Sequence, residues 1–123
     1  MRRYKVTVTT AADGSATAYT PRVAGKLHSI HYVKPGSGGY TDGVDFVVSS
    51  EATGEVLWDE DNVNASAVRN PRAPTHTQVG VASLYAAGGV AVEDKIALAS
   101  DRIKIVLAAG GDAKVGAFHF LVD

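Results

Sequence analysis

The chain has 123 residues, with 12 Lys and Arg, 13 Asp and Glu, a net charge of -1 and no Cys. This length fits one domain with a sizeable core, and the absence of Cys excludes disulfide bonds and thiolate metal sites. The balanced charge lacks the cationic excess of a non-specific nucleic-acid binder. No apolar run approaches the roughly 20 residues of a membrane-spanning helix, and no apolar segment follows the basic start as in a signal peptide. We therefore expect no nucleic-acid partner and no membrane partner.

The composition is that of a β protein. Seventeen Val and nine Thr stand against six Leu, and 13 Gly and four Pro supply turns. β-Branched side chains lose rotamer freedom in helices and pack well on a pleated sheet. No apolar period of 3.6 persists over ten residues. We predict an all-β fold over residues 1–123, a single-domain antiparallel β-sandwich or a jelly-roll-like barrel.

Two strands are predicted at the start of the chain. Residues 3–10 alternate apolar and polar side chains, and residues 16–20 form a shorter strand. Asp13 and Gly14 lie between them and can adopt a tight turn. We predict that the two strands form a hairpin. The apolar face of the first strand comprises Tyr4, Val6 and Val8.

Three further strands are predicted over residues 23–34, 44–50 and 55–59. A Gly-rich loop follows the first of them, and a Thr–Gly turn joins the other two. The side chains predicted to face the core from the last two are Val44, Phe46, Val48 and Trp58.

The segment 59–78 differs from the rest of the chain. It begins with an acidic run and continues with two Pro and two Arg. Loops of this length are uncommon in small domains and are usually functional or ordered by a partner. Arg offers a planar fork of donors for acidic surfaces, and Pro lowers the entropy lost on docking. We interpret the segment as an extended loop, with a solvated surface loop as the alternative. The candidate partner-binding residues are Arg69, Pro71, Arg72, Pro74 and His76.

The last third of the chain predicts more strands. Residues 79–85 fit either a strand or a short helical turn, and strands follow over 93–99, 102–109 and 114–122. Gly110–Gly111 is typical of a two-residue hairpin turn and predicts pairing of the last two strands. The face of the final strand predicted to be buried consists of Phe118, Phe120 and Val122.

The residues with catalytic or metal-binding chemistry form no recognised constellation. His28 and His31 are three apart on a predicted strand, so they point to opposite faces unless a bulge intervenes. Residues 59–62 carry oxygen ligands for calcium but lack the central Gly of a calcium loop. No nucleophile elbow and no phosphate-binding loop occurs. We predict a protein that is not an enzyme and that uses no cofactor and no metal.

Seven stretches spread over essentially the whole chain carry a family resemblance. They are 3–6 (RYKV), 30–34 (IHYVK), 42–46 (DGVDF), 62–65 (NVNA), 71–76 (PRAPTH), 84–89 (LYAAGG) and 95–99 (KIALA). In these stretches the chain resembles a family of small proteins encoded among the virion structural genes of tailed bacteriophages and prophages. The stretches are shape motifs, and none carries a catalytic role.

The resemblance implies a virion component that is assembled in the bacterial host cytoplasm. The role it favours is capsid decoration, in which a cement protein stabilises the head by symmetric oligomeric contacts. The implied partners are further copies of the chain and the major capsid protein or other virion proteins. A head–tail junction or tail structural protein is the alternative. A carbohydrate-binding β-sandwich is an alternative of another class, and it requires exposed aromatics, for which Trp58 and Tyr40 are the candidates.

Overall fold

Two antiparallel sheets and a small separate ribbon make up the structure, a computed structural model that describes residues 1–123. It is entirely β, which confirms the predicted fold class. None of its segments forms a helix with the length and apolar character that a membrane crossing requires. The strands are β1 (Arg2–Thr9), β2 (Ala16–Tyr19), β3 (Val23–Val33), β4 (Asp45–Ser50), β5 (Val56–Glu60), β6 (Ala67–Arg69), β7 (Ala73–Pro74), β8 (Glu93–Asp94), β9 (Ile96–Asp101), β10 (Ile103–Ala108) and β11 (Val115–Val122).

The two sheets face each other as a sandwich. Sheet A has the order β1–β11–β3–β6, with β9 also paired to β3, and sheet B has the order β2–β10–β4–β5. Within these two sheets, β4 and β5 are the one pair of neighbouring strands that also follow each other directly in the chain. The chain therefore crosses between the sheets at most of its turns.

The hairpin predictions at both ends of the chain are wrong. β1 and β2 lie in different sheets, and so do β10 and β11. The connections at 11–15 and 109–114 are corners between the sheets, and they pack on each other. The Gly110 amide donates to the Gly14 carbonyl at 2.9 Å, and a Cβ on Gly110 would lie 2.8 Å from the Thr10 methyl carbon. Glycine is required here by this close approach of two corners, and not by a hairpin turn.

The core lies between the sheets and is centred on Phe46. The Phe46 ring centroid lies 4.8 Å from that of Tyr32, 5.1 Å from Phe118 and 5.2 Å from Trp58. The alternating residues predicted to be buried in β4 and β11 are buried, as is Val8 at the end of β1. None of the 20 buried apolar residues comes from positions 64–95.

The predicted extended loop at 59–78 contains regular structure. It includes the end of β5 and the short strands β6 and β7. β6 pairs with the C-terminal half of β3, while β9 pairs with its N-terminal half along the same side. Between β6 and β9 the chain leaves sheet A and forms an excursion. We call residues 73–94 the lobe.

Candidate functional site

Arg69, a predicted partner contact, is bound within the chain. Its guanidinium donates to both carboxylate oxygens of Glu60, at 2.8 and 2.9 Å, and lies 5.4 Å from the ring centroid of Trp58. Hydrogen bonds from Arg69, and then from the Trp58 indole, lower the pKa of Glu60. The pair joins the edge strand β5 of sheet B to the edge strand β6 of sheet A, so it closes one side of the sandwich.

The other four predicted contact residues lead from sheet A into the lobe. Arg72 donates to the His28 carbonyl at 3.0 Å and to the Pro71 carbonyl at 2.8 Å. This guanidinium fills the gap between β6 and β9, where β3 lacks a strand partner. Pro74 belongs to β7, and His76 makes a β-bridge inside the lobe. The structure thus uses both arginines to anchor the root of the lobe.

The lobe is held together by a closed ring of backbone hydrogen bonds. The Thr75 amide donates to Val92 at 2.8 Å, the Val92 amide to Ser83 at 2.9 Å, and the Ser83 amide to Thr75 at 3.0 Å. Each of the three chain segments therefore binds the other two. Residues 79–85, for which the sequence allowed either a strand or a helical turn, form neither. They are the middle one of the three segments and contribute Ala82 and Leu84 to isolated β-bridges.

The surface of the lobe exposes large apolar side chains, and it is uncharged except for Glu93 and Asp94 at its end. Val79, Tyr85 and Val90 are 78%, 75% and 72% exposed, and Val81 and Leu84 are also exposed. Residues 73–92 include no Asp, Glu, Lys or Arg, although these types make up 20% of the chain. Large exposed apolar patches mark interaction surfaces, and five exposed large apolar side chains within one short segment make the lobe a candidate for such a surface. Reasoning from the sequence missed this surface, and the long uncharged run was the signal that could have revealed it.

The outer face of sheet A carries the second notable surface. Cross-strand partners form rows on this face, and the rows contain two cations and two histidines but no carboxylate. Because side chains of directly opposed residues lie close together, each row is a line of neighbours. The central row is Lys5, His119, His31 and Val68, with Arg3, Leu121 and Ser29 on one side and Thr7, Ala117 and Val33 on the other.

Two adjoining hollows lie on this face, and Val33 borders both of them. The basic hollow has a volume of about 160 Å³. The apolar hollow has a volume of about 240 Å³ and is lined by Pro35, Val115 and Ala117 together with Lys5 and Thr7. The basic hollow is lined by Arg3, His31, Val33, His119 and Leu121.

The electrostatics of the basic hollow favour an anionic group. The Nδ1 atom of His119 is buried and has no hydrogen-bond partner. Burial lowers the pKa of His119, and the nearby Arg3, Lys5 and His31 lower it further. A bound carboxylate would relieve this crowding of positive charge, whereas a metal ion would add to it. No group of three or more metal-ligating side chains converges anywhere in the structure.

The histidines and the acidic run do not converge on one metal-binding group. A register shift in β3 between Leu27 and Ser29 places a bulge at His28. His31 faces His119 across the strands, a pairing that the sequence alone did not reveal. In the acidic run, the Glu60 carboxylate is occupied by Arg69 and Trp58.

The two aromatic residues named for carbohydrate binding are both buried. The Trp58 indole donates to Glu60 at 3.0 Å, and the Tyr40 hydroxyl donates to the Val8 carbonyl at 2.6 Å. Neither ring is free to stack on a sugar at the surface.

Comparisons with known proteins were made by family model, by sequence and by structure. None of the three, against family models, curated proteins and solved structures, found a match.

Proposed function

We propose that this chain is a non-enzymatic structural protein of a tailed-phage virion, in the role of a capsid decoration protein that stabilises the head through symmetric contacts. The observation that carries the proposal is the lobe, with its exposed and uncharged apolar side chains. The sequence resemblance supplies the virion context. The partners in this proposal are further copies of the chain and the major capsid protein.

Exposure of the apolar side chains of the lobe to water forgoes hydrophobic free energy that their burial in an interface would recover. Burying a Val, Leu or Tyr-sized side chain contributes on the order of 1.5–3 kcal/mol, and the lobe exposes five such residues. A protein that remains alone in water gains nothing from them, whereas an assembling protein gains at each contact. Capsid shells repeat one contact over many symmetric positions, so one such surface per chain is sufficient.

The test is to purify particles of the phage or induced prophage that encodes the chain. Quantitative mass spectrometry and immunogold labelling give the copy number and the position of the protein. We expect many copies distributed over the head. Labelling confined to the tail or its junction would replace the decoration role with a tail role, and absence from purified particles would overturn the proposal.

A lobe variant and a control variant link the particle assay to the lobe. The double variant Val79→Glu and Tyr85→Glu places charges on the lobe, whereas Val56→Glu places one on an exposed valine of β5. In a strain lacking the wild-type copy, we expect the lobe variant to be missing from particles and the control to be present. Equal incorporation of both variants would dissociate the lobe from assembly.

A further inference from the structure

The lobe and the outer face of sheet A are complementary in two respects. The lobe presents apolar side chains without charge and ends in Glu93 and Asp94, which are both exposed. The face presents an apolar hollow that adjoins a basic hollow containing Arg3. On the face the two hollows share Val33, and on the lobe the two acids directly follow the uncharged residues 73–92 in the chain, so the two surfaces carry opposite charge.

We propose that the lobe of one copy binds the outer face of sheet A of a second copy. The apolar side chains of the lobe enter the apolar hollow, and Glu93 and Asp94 pair with Arg3 and Lys5. This inference extends the proposed function by naming the partner and both surfaces, and it rests on self-assembly rather than on location in a virion.

Several observations favour a second copy as the occupant. Within one copy the lobe side chains remain exposed and the hollow stays open, so the two surfaces do not satisfy each other internally. The lobe comprises residues 73–94, which is 22 positions, and a standard interface uses about 20–30 residues a side. The net charge of -1 shows that the chain has the acids to balance the cations of this face. The rows of β1, β11 and β3 on this face contain no Asp and no Glu, so these acids lie elsewhere in the chain.

The contact has a direction, which determines the kind of assembly. Each copy contributes its lobe to one neighbour and its sheet A face to another. Such head-to-tail contacts close into a ring when the rotation permits, and otherwise form a filament. A symmetric shell component requires the closed form.

His119 gives the contact a pH dependence. The groups facing His119 are Arg3 and Lys5 from β1 and His31 from β3, all of them basic, while β6 contributes Val68 to the same row. A partner carboxylate beside the His119 imidazole favours its protonated form, so association takes up a proton. Because the pKa of His119 in the free chain lies below the ordinary value of 6.5, self-association should tighten as the pH falls below about 6.5.

The primary experiment is sedimentation velocity on the full chain and on three variants. Val33→Glu places a charge between the two hollows, Val79→Glu with Tyr85→Glu disables the lobe, and Val56→Glu is the control. Val33 and Val56 are 46% and 53% exposed, so the two single substitutions are matched. We expect the wild type and the control to form the same oligomer and the other two variants to associate at least about 30-fold more weakly. Circular dichroism verifies that each variant keeps its β spectrum.

Mixing the two disabled variants tests the direction of the contact. The face variant retains a working lobe, and the lobe variant retains a working face. Their mixture should form a 1:1 pair that cannot extend, because only one of the two possible contacts survives. A contact between two lobes predicts no such pair.

A charge reversal provides an independent readout. Lys5→Glu and Glu93→Lys should each weaken association about tenfold or more, and the double variant should recover most of the loss. Recovery requires that these two side chains meet across the interface.

Four outcomes overturn the proposal. The face variant assembles like the wild type, the mixture stays monomeric, the double charge variant fails to recover, or the wild type remains monomeric at high concentration. In the last case a particle that still carries the protein would leave the proposed function standing, with the capsid shell as the occupant of the lobe.

Discussion

The sandwich buries most of its large apolar side chains, whereas the lobe exposes most of its own. All 20 buried apolar residues lie outside positions 64–95. The lobe relies on its ring of backbone hydrogen bonds through Thr75, Ser83 and Val92. Side chains of similar chemistry thus serve the fold in one region and remain available for contact in the other.

This difference predicts unequal local stability. A hydrogen bond contributes a net free energy of about 1 kcal/mol, because it replaces a bond to water. Burial of one large side chain contributes on the order of 1.5–3 kcal/mol. The lobe therefore opens at a lower free energy than the sandwich, as surface segments with few buried contacts generally do.

The largest expected difference between the two regions comes from truncating one aromatic side chain in each of them. Phe46→Ala removes the centre of the aromatic cluster and should lower the free energy of unfolding by about 3–5 kcal/mol. Tyr85→Ala removes an aromatic ring that is 75% exposed and should change it by less than about 0.5 kcal/mol. Urea denaturation of dilute protein measures both. Similar losses from the two substitutions would show that the lobe is part of the core.

A second pair of variants tests two tyrosine hydroxyls inside the sandwich. The Tyr40 hydroxyl donates to the Val8 carbonyl, whereas the buried Tyr32 hydroxyl has no partner. Tyr40→Phe should cost about 1–2 kcal/mol because it leaves a buried carbonyl without its donor. Tyr32→Phe should be neutral or stabilising. If the two variants have equal unfolding midpoints, the hydrogen bond assigned to Tyr40 does not matter to stability.

The loss of folding stability at acid pH is also expected to arise in the sandwich. Hydrogen bonds from Ser50 and then from the Ala52 amide hold the pKa of Asp101 below its ordinary value of 3.8. A lowered pKa favours the folded state above that value, and this contribution is lost as the pH falls through the folded-state pKa. Asp101→Asn should lower stability at pH 7 and make the loss on acidification to about pH 3 shallower. An unchanged dependence of the unfolding free energy on pH would show that Asp101 does not contribute to acid sensitivity. Residues 73–92 contain no carboxylate side chain, so they cannot contribute to it.

Only a small effect is expected from removing most of the lobe. Pro74 and Glu93 are cross-strand partners, so an Asn-Gly turn can join them in place of residues 75–92. The free energy of unfolding should change by less than about 1 kcal/mol, measured in urea and checked by circular dichroism. Loss of the β spectrum would mean that the sandwich needs the lobe in order to fold.

The sequence predicted the strands well and their pairing less well. Alternation at Phe46 and Val48, and at Phe118 and Phe120, identified buried faces because side-chain direction in a strand has a period of two. The two false hairpins arose because turn chemistry is local. It permits a reversal at Gly110–Gly111 but does not specify which sheet receives the next strand.

The interaction surfaces were harder to predict for the same reason. His31 and His119 are 88 positions apart and become neighbours only through the β3–β11 register. Arg69 and Arg72 were predicted as partner contacts, and the bonds that the structure shows for them are within the chain, to Glu60 and to the His28 carbonyl. Contact of the segment 59–78 with a partner stays a prediction.

The most direct test of the contrast between sandwich and lobe is hydrogen exchange measured by mass spectrometry, at low and at high protein concentration. At low concentration we predict slow exchange in the paired strands and fast exchange at Thr75, Ser83 and Val92. At high concentration the lobe amides of the wild type should become protected, and those of Val33→Glu should not. Lobe amides that exchange as slowly as the core of β3 and β11 at every concentration would contradict the account.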